Sequence, residues 1–109
     1  MAAVLVACAQ AMNFSPEVRR RAAETPILTA EQLAGRSFAV VGEVSGISCA
    51  RQAGSTPNME AAREELKLKA AQMEADAVVA AYCREGGANL LKNCWRYIEC
   101  RGDAVRWRP

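Results

Sequence analysis

The sequence predicts an α+β domain: a small, mostly antiparallel sheet of three to four strands, with one main helix packed on it and two disulfides stapling it. Three observations predict this. The regular runs follow the order strand, helix, strand, strand, which a helix laid on one face of an antiparallel sheet satisfies. The helical run carries a single apolar stripe, the pattern of a helix with one buried face. Four of the five cysteines, Cys49, Cys83, Cys94 and Cys100, lie within or beside those runs. In a domain this small an even set reads as a disulfide framework, and hence an oxidising compartment.

The chain opens on MAAVLVACAQ, in which Leu5-Val6-Ala7-Cys8 resembles a bacterial lipobox. In such a signal lipid is attached to the cysteine and the chain is cut before it, which accounts for the odd cysteine, Cys8. No Lys or Arg precedes Cys8 and the apolar lead is only Ala2 to Ala7, so residues 1–8 are expected to be a shortened export signal. Residue 9 is Ala rather than the Asp that retains lipoproteins at the inner membrane, which points to an outer-membrane lipid anchor. Residues 9–36 are expected to be a flexible linker, because Asn13, Ser15, Pro16 and Pro26 interrupt regular structure. Its basic run Arg19-Arg20-Arg21 is a candidate contact with a partner or an anionic surface. Thr29-Ala-Glu-Gln32 fits a capping box for a helix of one or two turns ending at Gly35.

The folded domain is expected over 37–109. Ser37 to Ile47 (SFAVVGEVSGI) is rich in apolar and β-branched residues and reads as a strand, bulged at a glycine. RQAGST is a loop, and Thr56 with Pro57 forms an N-cap and first helical position. Met59, Ala62, Leu66, Ala70, Met73 and Ala77 recur at spacings of three or four and form the core-facing stripe. Glu60, Arg63, Glu64, Lys67 and Lys69 form the solvated face, with Glu65 and Lys69 a favourable i,i+4 pair. Ala77 to Cys83 is the second strand, REGGANLLKN a loop, and CWRYIEC (Cys94 to Cys100) the third strand. Arg101-Gly102-Asp103 is expected to turn into a short fourth strand, Ala104 to Trp107.

Strand geometry constrains the cysteine pairing. Six residues of strand advance about 20 Å, whereas a disulfide needs Cα atoms within about 7 Å. An extended Cys94–Cys100 segment therefore cannot close on itself, and its even spacing places both cysteines on one face. Arg96 shares that face, which a bulge or a position near the sheet edge accommodates. Two connectivities remain: Cys49–Cys94 with Cys83–Cys100, and Cys49–Cys100 with Cys83–Cys94. Hairpin geometry leans towards joining Cys83 to Cys94, and the residues alone leave both open.

Composition excludes several functions. The near balance of 14 basic and 12 acidic residues argues against a nucleic-acid binder. No run of about 18 apolar residues is present to span a membrane as a helix. The absence of histidine removes the usual general base and every Ser-His or Cys-His nucleophile pair. The cysteine spacings contain neither the close pairs of a structural zinc site nor a C-x-x-C redox motif. No cofactor, metal or small-molecule substrate is expected, and the chain does not read as an enzyme.

The run Val41-Gly42-Glu43-Val44-Ser45-Gly46-Ile47-Ser48-Cys49, a helix ending Met73-Glu74-Ala75-Asp76-Ala77-Val78-Val79, and Cys83, Cys94 and Cys100 in that order resemble the RcsF family. These are outer-membrane lipoproteins that sense envelope stress, and the resemblance covers about residues 37 to 105. It implies two interlocked disulfides, Cys49–Cys94 and Cys83–Cys100. It also implies a lipid-anchored protein whose folded domain lies in the periplasm. Its linker would associate with β-barrel outer-membrane proteins, and its domain would contact an inner-membrane regulator of a phosphorelay. Two other readings stand beside it: a small periplasmic or secreted enzyme using carboxylates such as Glu43 or Asp76, and a cytosolic structural domain with reduced thiols.

Overall fold

The computed structural model describes residues 14–52, 54–89, 91 and 93–109. Its elements are α1 (Pro16–Ala23), a 3-10 turn (Glu31–Leu33), β1 (Phe38–Ala50), the main helix α2 (Met59–Gln72), β2 (Ala77–Gly86) and β3 (Arg96–Trp107). The strands form one antiparallel sheet of order β1-β3-β2, so the last strand is the central one. Among the described residues there are three strands and no separate fourth.

The expected turn at Arg101-Gly102-Asp103 is instead the middle of β3. Gly102 pairs with Val44 of β1 and is buried, and a Cβ on it would stand 2.6 Å from Val78 Cγ1. Glycine serves close packing here rather than a change of direction. The other end of the expected strand also differs. Cys94 lies outside β3, held to Asn89 by Asn89 N–H to Cys94 O (2.9 Å) and Cys94 N–H to Asn89 O (3.2 Å). Regular pairing begins at Arg96, whose guanidinium sits at the strand end 3.7 Å from Glu85 and never enters the core.

Period-2 alternation in β3 divides the sheet into two faces. Ile98, Cys100 and Ala104 face α2 and join Val44, Val78, Ala62, Leu66, Ala70 and Ala75 in the main core. Gly46 lets the helix approach β1, since a Cβ there would collide with Ala62 O and stand 2.7 Å from Leu66 N. The helix starts two residues later than Thr56 suggests. Asn58 is the N-cap and its Oδ1 accepts from Ala61 N–H at 3.1 Å; Asn58 N–H in turn donates to Ser48 Oγ at 2.9 Å, fixing the entry to β1. The helix ends at Gln72, so Ala77 belongs to β2 rather than to the stripe. Arg106 donates to the carbonyls of Met73 (2.9 Å) and Glu74 (3.0 Å), satisfying the helix C-terminus from β3.

The flexible linker expected over 9–36 is corrected for its described part. Ser15 N-caps α1, its Oγ accepting from Val18 N–H at 3.1 Å, and Pro16 takes the first helical position. Phe14, Val18 and Ala22 then pack on Leu68 and Ala71 of α2. Further on, Val78 N–H donates to Pro26 O (2.9 Å) and Leu28 N–H donates to Val78 O (2.8 Å), laying Ile27 beside the β2 edge as a parallel bridge. The Thr29–Gln32 capping box is present, with Thr29 N–H donating to Gln32 Oε1 at 2.8 Å and Gln32 N–H donating to Thr29 Oγ1 at 3.3 Å. Gly35 follows the turn at φ 80°, a left-handed conformation suited to glycine. Leu28 and Leu33 cover Ala77, Val79 and Val105, with Phe38 and Trp107, at one end of the second sheet face. Residues 14–36 are therefore part of the fold, because they carry apolar side chains at positions that both sheet faces and α2 leave open.

Candidate functional site

The four domain cysteines are bonded as Cys49–Cys94, with Cα atoms 5.4 Å apart, and Cys83–Cys100, with Cα atoms 3.9 Å apart. Cys83 stands directly opposite Cys100 in the β2–β3 register, so this link crosses neighbouring strands within the core. Cys49 lies near the end of β1, and its link ties that end to the segment entering β3. The two loops interlock: each bond joins one residue inside the other's loop to one outside it. Of the two pairings left open by strand geometry, the structure has the non-hairpin one. Cys83 cannot reach Cys94 because β3 places Cys100, not Cys94, across from it.

The face of β3 turned away from α2 carries Tyr97, Glu99, Arg101 and Asp103, with Trp95 just before the strand. Its neighbours in register are Ser45 and Ile47 of β1 and Tyr82 and Arg84 of β2. Glu99 is buried, although on this face, because two guanidinium groups lie against it. Arg84 donates to Glu99 Oε1 from Nη2 (3.1 Å) and Nε (3.3 Å), and Arg101 Nη2 donates to Oε2 at 3.3 Å. A buried carboxylate is costly unless so paired. The hydrogen bond and charge of Glu99 raise the Arg84 pKa above its ordinary value. Arg101 Nε is buried without an acceptor among the described residues.

Around this network lie aromatic side chains. Tyr82 is 56% and Trp95 55% exposed, and the Tyr97 ring lies over Gly86, where any Cβ would strike it. Leu91, in the segment closed by Cys49–Cys94, is 98% exposed. A surface of Tyr, Trp and Arg over a rigid, crosslinked sheet has the composition of a protein-recognition patch.

The other sequence-derived candidates scatter. Cys8 lies outside the described residues. Arg19, Arg20 and Arg21 sit on α1 rather than on a linker. Arg19 Nε donates to Phe14 O at 3.1 Å, Arg20 is exposed, and Arg21 Nη1 donates to Ala71 O of α2 at 3.2 Å while its Nη2 lies 3.6 Å from Glu17. Asp76 accepts from Trp107 N–H at 2.8 Å and so secures the end of β3. Glu43 pairs across the sheet with Asp103, away from Asp76 at the start of β2. The two carboxylates thus belong to different parts of the sheet. Glu65 does not serve the expected pair with Lys69: its Oε1 accepts from Ile47 N–H at 2.7 Å and blunts the open edge of β1.

The Arg84–Glu99–Arg101 network was not visible in local spacing, because its members come from two strands. The one available signal is the alternation Trp95, Tyr97, Glu99, Arg101, Asp103, which becomes legible once Arg101–Asp103 is read as strand.

A model of the RcsF lipoprotein family matches residues 5–107. The chain is 37% identical over 77 residues to the outer membrane lipoprotein RcsF of Escherichia coli K12, and equally to that of Escherichia coli O6:H1. The match covers 70% of this chain and 56% of each relative, so the chain spans little more than half the length of the curated relatives it matches. With a family match across nearly its whole length, this chain belongs to the RcsF lipoprotein family.

Proposed function

We propose that this chain is an RcsF-like outer-membrane lipoprotein that signals envelope stress by protein–protein contact. On this reading Cys8 carries the lipid, the domain works in the periplasm, and the outer membrane holds its N-terminus. Its partners are β-barrel outer-membrane proteins and an inner-membrane regulator of a phosphorelay, and no step requires a cofactor or a small-molecule substrate. The observation that carries the reading is the extent of the family match, which begins at residue 5 and therefore takes in the lipobox-like Leu5-Val6-Ala7-Cys8. Multiple acyl chains at Cys8 give durable anchoring where a single chain would not. The Tyr82, Trp95 and Arg84 side chains of the sheet face supply the kind of surface that such contacts use.

The test is expression in a Gram-negative host lacking its own relative and carrying a reporter of the phosphorelay. Labelled palmitate is expected to enter the protein, the protein to fractionate with the outer membrane, and Cys8→Ala to abolish both. The wild-type chain should restore reporter induction under envelope stress, and Trp95→Ala with Tyr82→Ala should reduce it while leaving lipidation intact. Palmitate incorporation unaffected by Cys8→Ala refutes the anchor. A correctly anchored protein that leaves the reporter silent refutes the signalling role.

A further inference from the structure

Among the described residues, helix α1 touches α2 and no other helix or strand. Val18 and Ala22 of α1, with Phe14 just before its N-cap, lie on Leu68 and Ala71. Of its eight residues only Ala22 is buried. A helix of that length does not persist alone in water, so its order depends on this contact. One side-chain bond reinforces it, Arg21 Nη1 to Ala71 O.

Immediately afterwards the chain is fixed differently. Pro26 and Leu28 are bonded to Val78 in the sheet, and the buried Thr25 reaches back across Glu24, its Oγ1 donating to Arg21 O of α1 at 2.8 Å, a bond that opening of α1 must break. Glu24, exposed and at φ −105°, ψ 10°, is the joint between the two regimes. The main helix thus has two apolar faces. Ala62, Leu66 and Ala70 are covered by the sheet, whereas Leu68 and Ala71 are covered by α1.

We propose that α1 is a detachable latch. It opens as a unit about Glu24, losing its helix and uncovering Leu68 and Ala71, while the sheet and α2 stay folded. α1 is the first described element of the chain, so a pull from its N-terminal side, or capture of that side by a partner, acts on this contact before it acts on the sheet. The latch converts such an event into exposure of an apolar helix face. This goes beyond the proposed signalling role and does not need Cys8 to be lipidated.

Hydrogen exchange on the full oxidised chain tests the proposal. The amides of Arg19 to Ala23 should exchange about 100-fold or more faster than those of Leu66 to Ala70, because local opening needs less free energy than global unfolding. Val18→Asp should bring the α1 amides to unprotected rates and accelerate tryptic cleavage at Arg19 to Arg21 by about tenfold or more. Protection across 77–107 should be unchanged. Arg21→Met, which removes the clasp without disturbing the apolar contact, should shift α1 exchange in the same direction by about threefold. Exchange of α1 in step with α2 in the wild-type chain overturns the proposal. So does loss of protection across β2 and β3 in Val18→Asp, provided Arg21→Met leaves α1 exchange unchanged.

Discussion

Removing the Glu99 side chain would leave the Arg84 and Arg101 guanidinium groups beside each other with no shared acceptor, one of them with a buried nitrogen. Glu99→Ala should therefore destabilise the domain by about 2 kcal/mol, less than for a fully buried ion pair because both arginine side chains are partly exposed. Arg84→Ala should shift the melting temperature less, since its side chain is 59% exposed and solvent-screened. Thermal melts of the two variants decide this, and a larger loss for Arg84→Ala would contradict it. Gly46 presents a second test at this scale. A methyl group there meets the backbone of α2 at Ala62 and Leu66, which cannot move without shifting the helix. Gly46→Ala should cost about 2 kcal/mol or more by overpacking, readable in urea denaturation. Neither Glu99 nor Gly46 stood out in the sequence as decisive. The glycine looked like a strand interruption, and the glutamate acquires its role only when the pairing of β2 with β3 brings Arg84 beside it and Arg101.

Elements were legible where one local rule governed them and illegible where two competed. The main helix was visible from its stripe, yet Thr56-Pro57 drew the start too early. The chain is still extended at Asn58, whose φ −120° and ψ 116° belong to the strand region, and Ser48 fixes its N–H. Asn58→Ala should thus cost about 1 kcal/mol through loss of the cap, whereas Thr56→Ala should be nearly neutral. Equal losses in chemical denaturation would restore the earlier boundary. In β3 the sequence Arg-Gly-Asp carries turn chemistry, and strand pairing on both sides overrides it. In α1 the same Ser-Pro pair that reads as punctuation is a helix start: Ser15 caps and Pro16 occupies the first position. Flexibility was expected there because the run Arg19-Arg20-Arg21 masks a ridge of Phe14, Val18 and Ala22 that becomes meaningful only against Leu68 and Ala71.

For the whole molecule, the crosslinks connect parts that the sheet alone holds loosely. Cys49–Cys94 spans a sequence separation of 45 and Cys83–Cys100 one of 17. On the chain-entropy account they contribute about 4 and about 3 kcal/mol, and because the loops overlap these values do not add. Either is comparable to the stability of a small domain. Replacing Cys49 and Cys94 by Ala should therefore lower the melting temperature strongly, and removing both bonds should leave the chain largely unfolded at 37 °C, as circular dichroism would show. Extended geometry alone reduced three pairings to two, but choosing between them required the register of β2 on β3, which single-sequence patterns do not carry. The central claim is that this register and these two bonds define the domain, and non-reduced tryptic peptide mapping by mass spectrometry tests it most directly. The four cysteines fall on separate tryptic peptides, 37–51, 70–84, 93–96 and 97–101. The expected result is 37–51 joined to 93–96 and 70–84 joined to 97–101; joining 70–84 to 93–96, or finding free thiols on these four peptides in protein folded in an oxidising compartment, would contradict it.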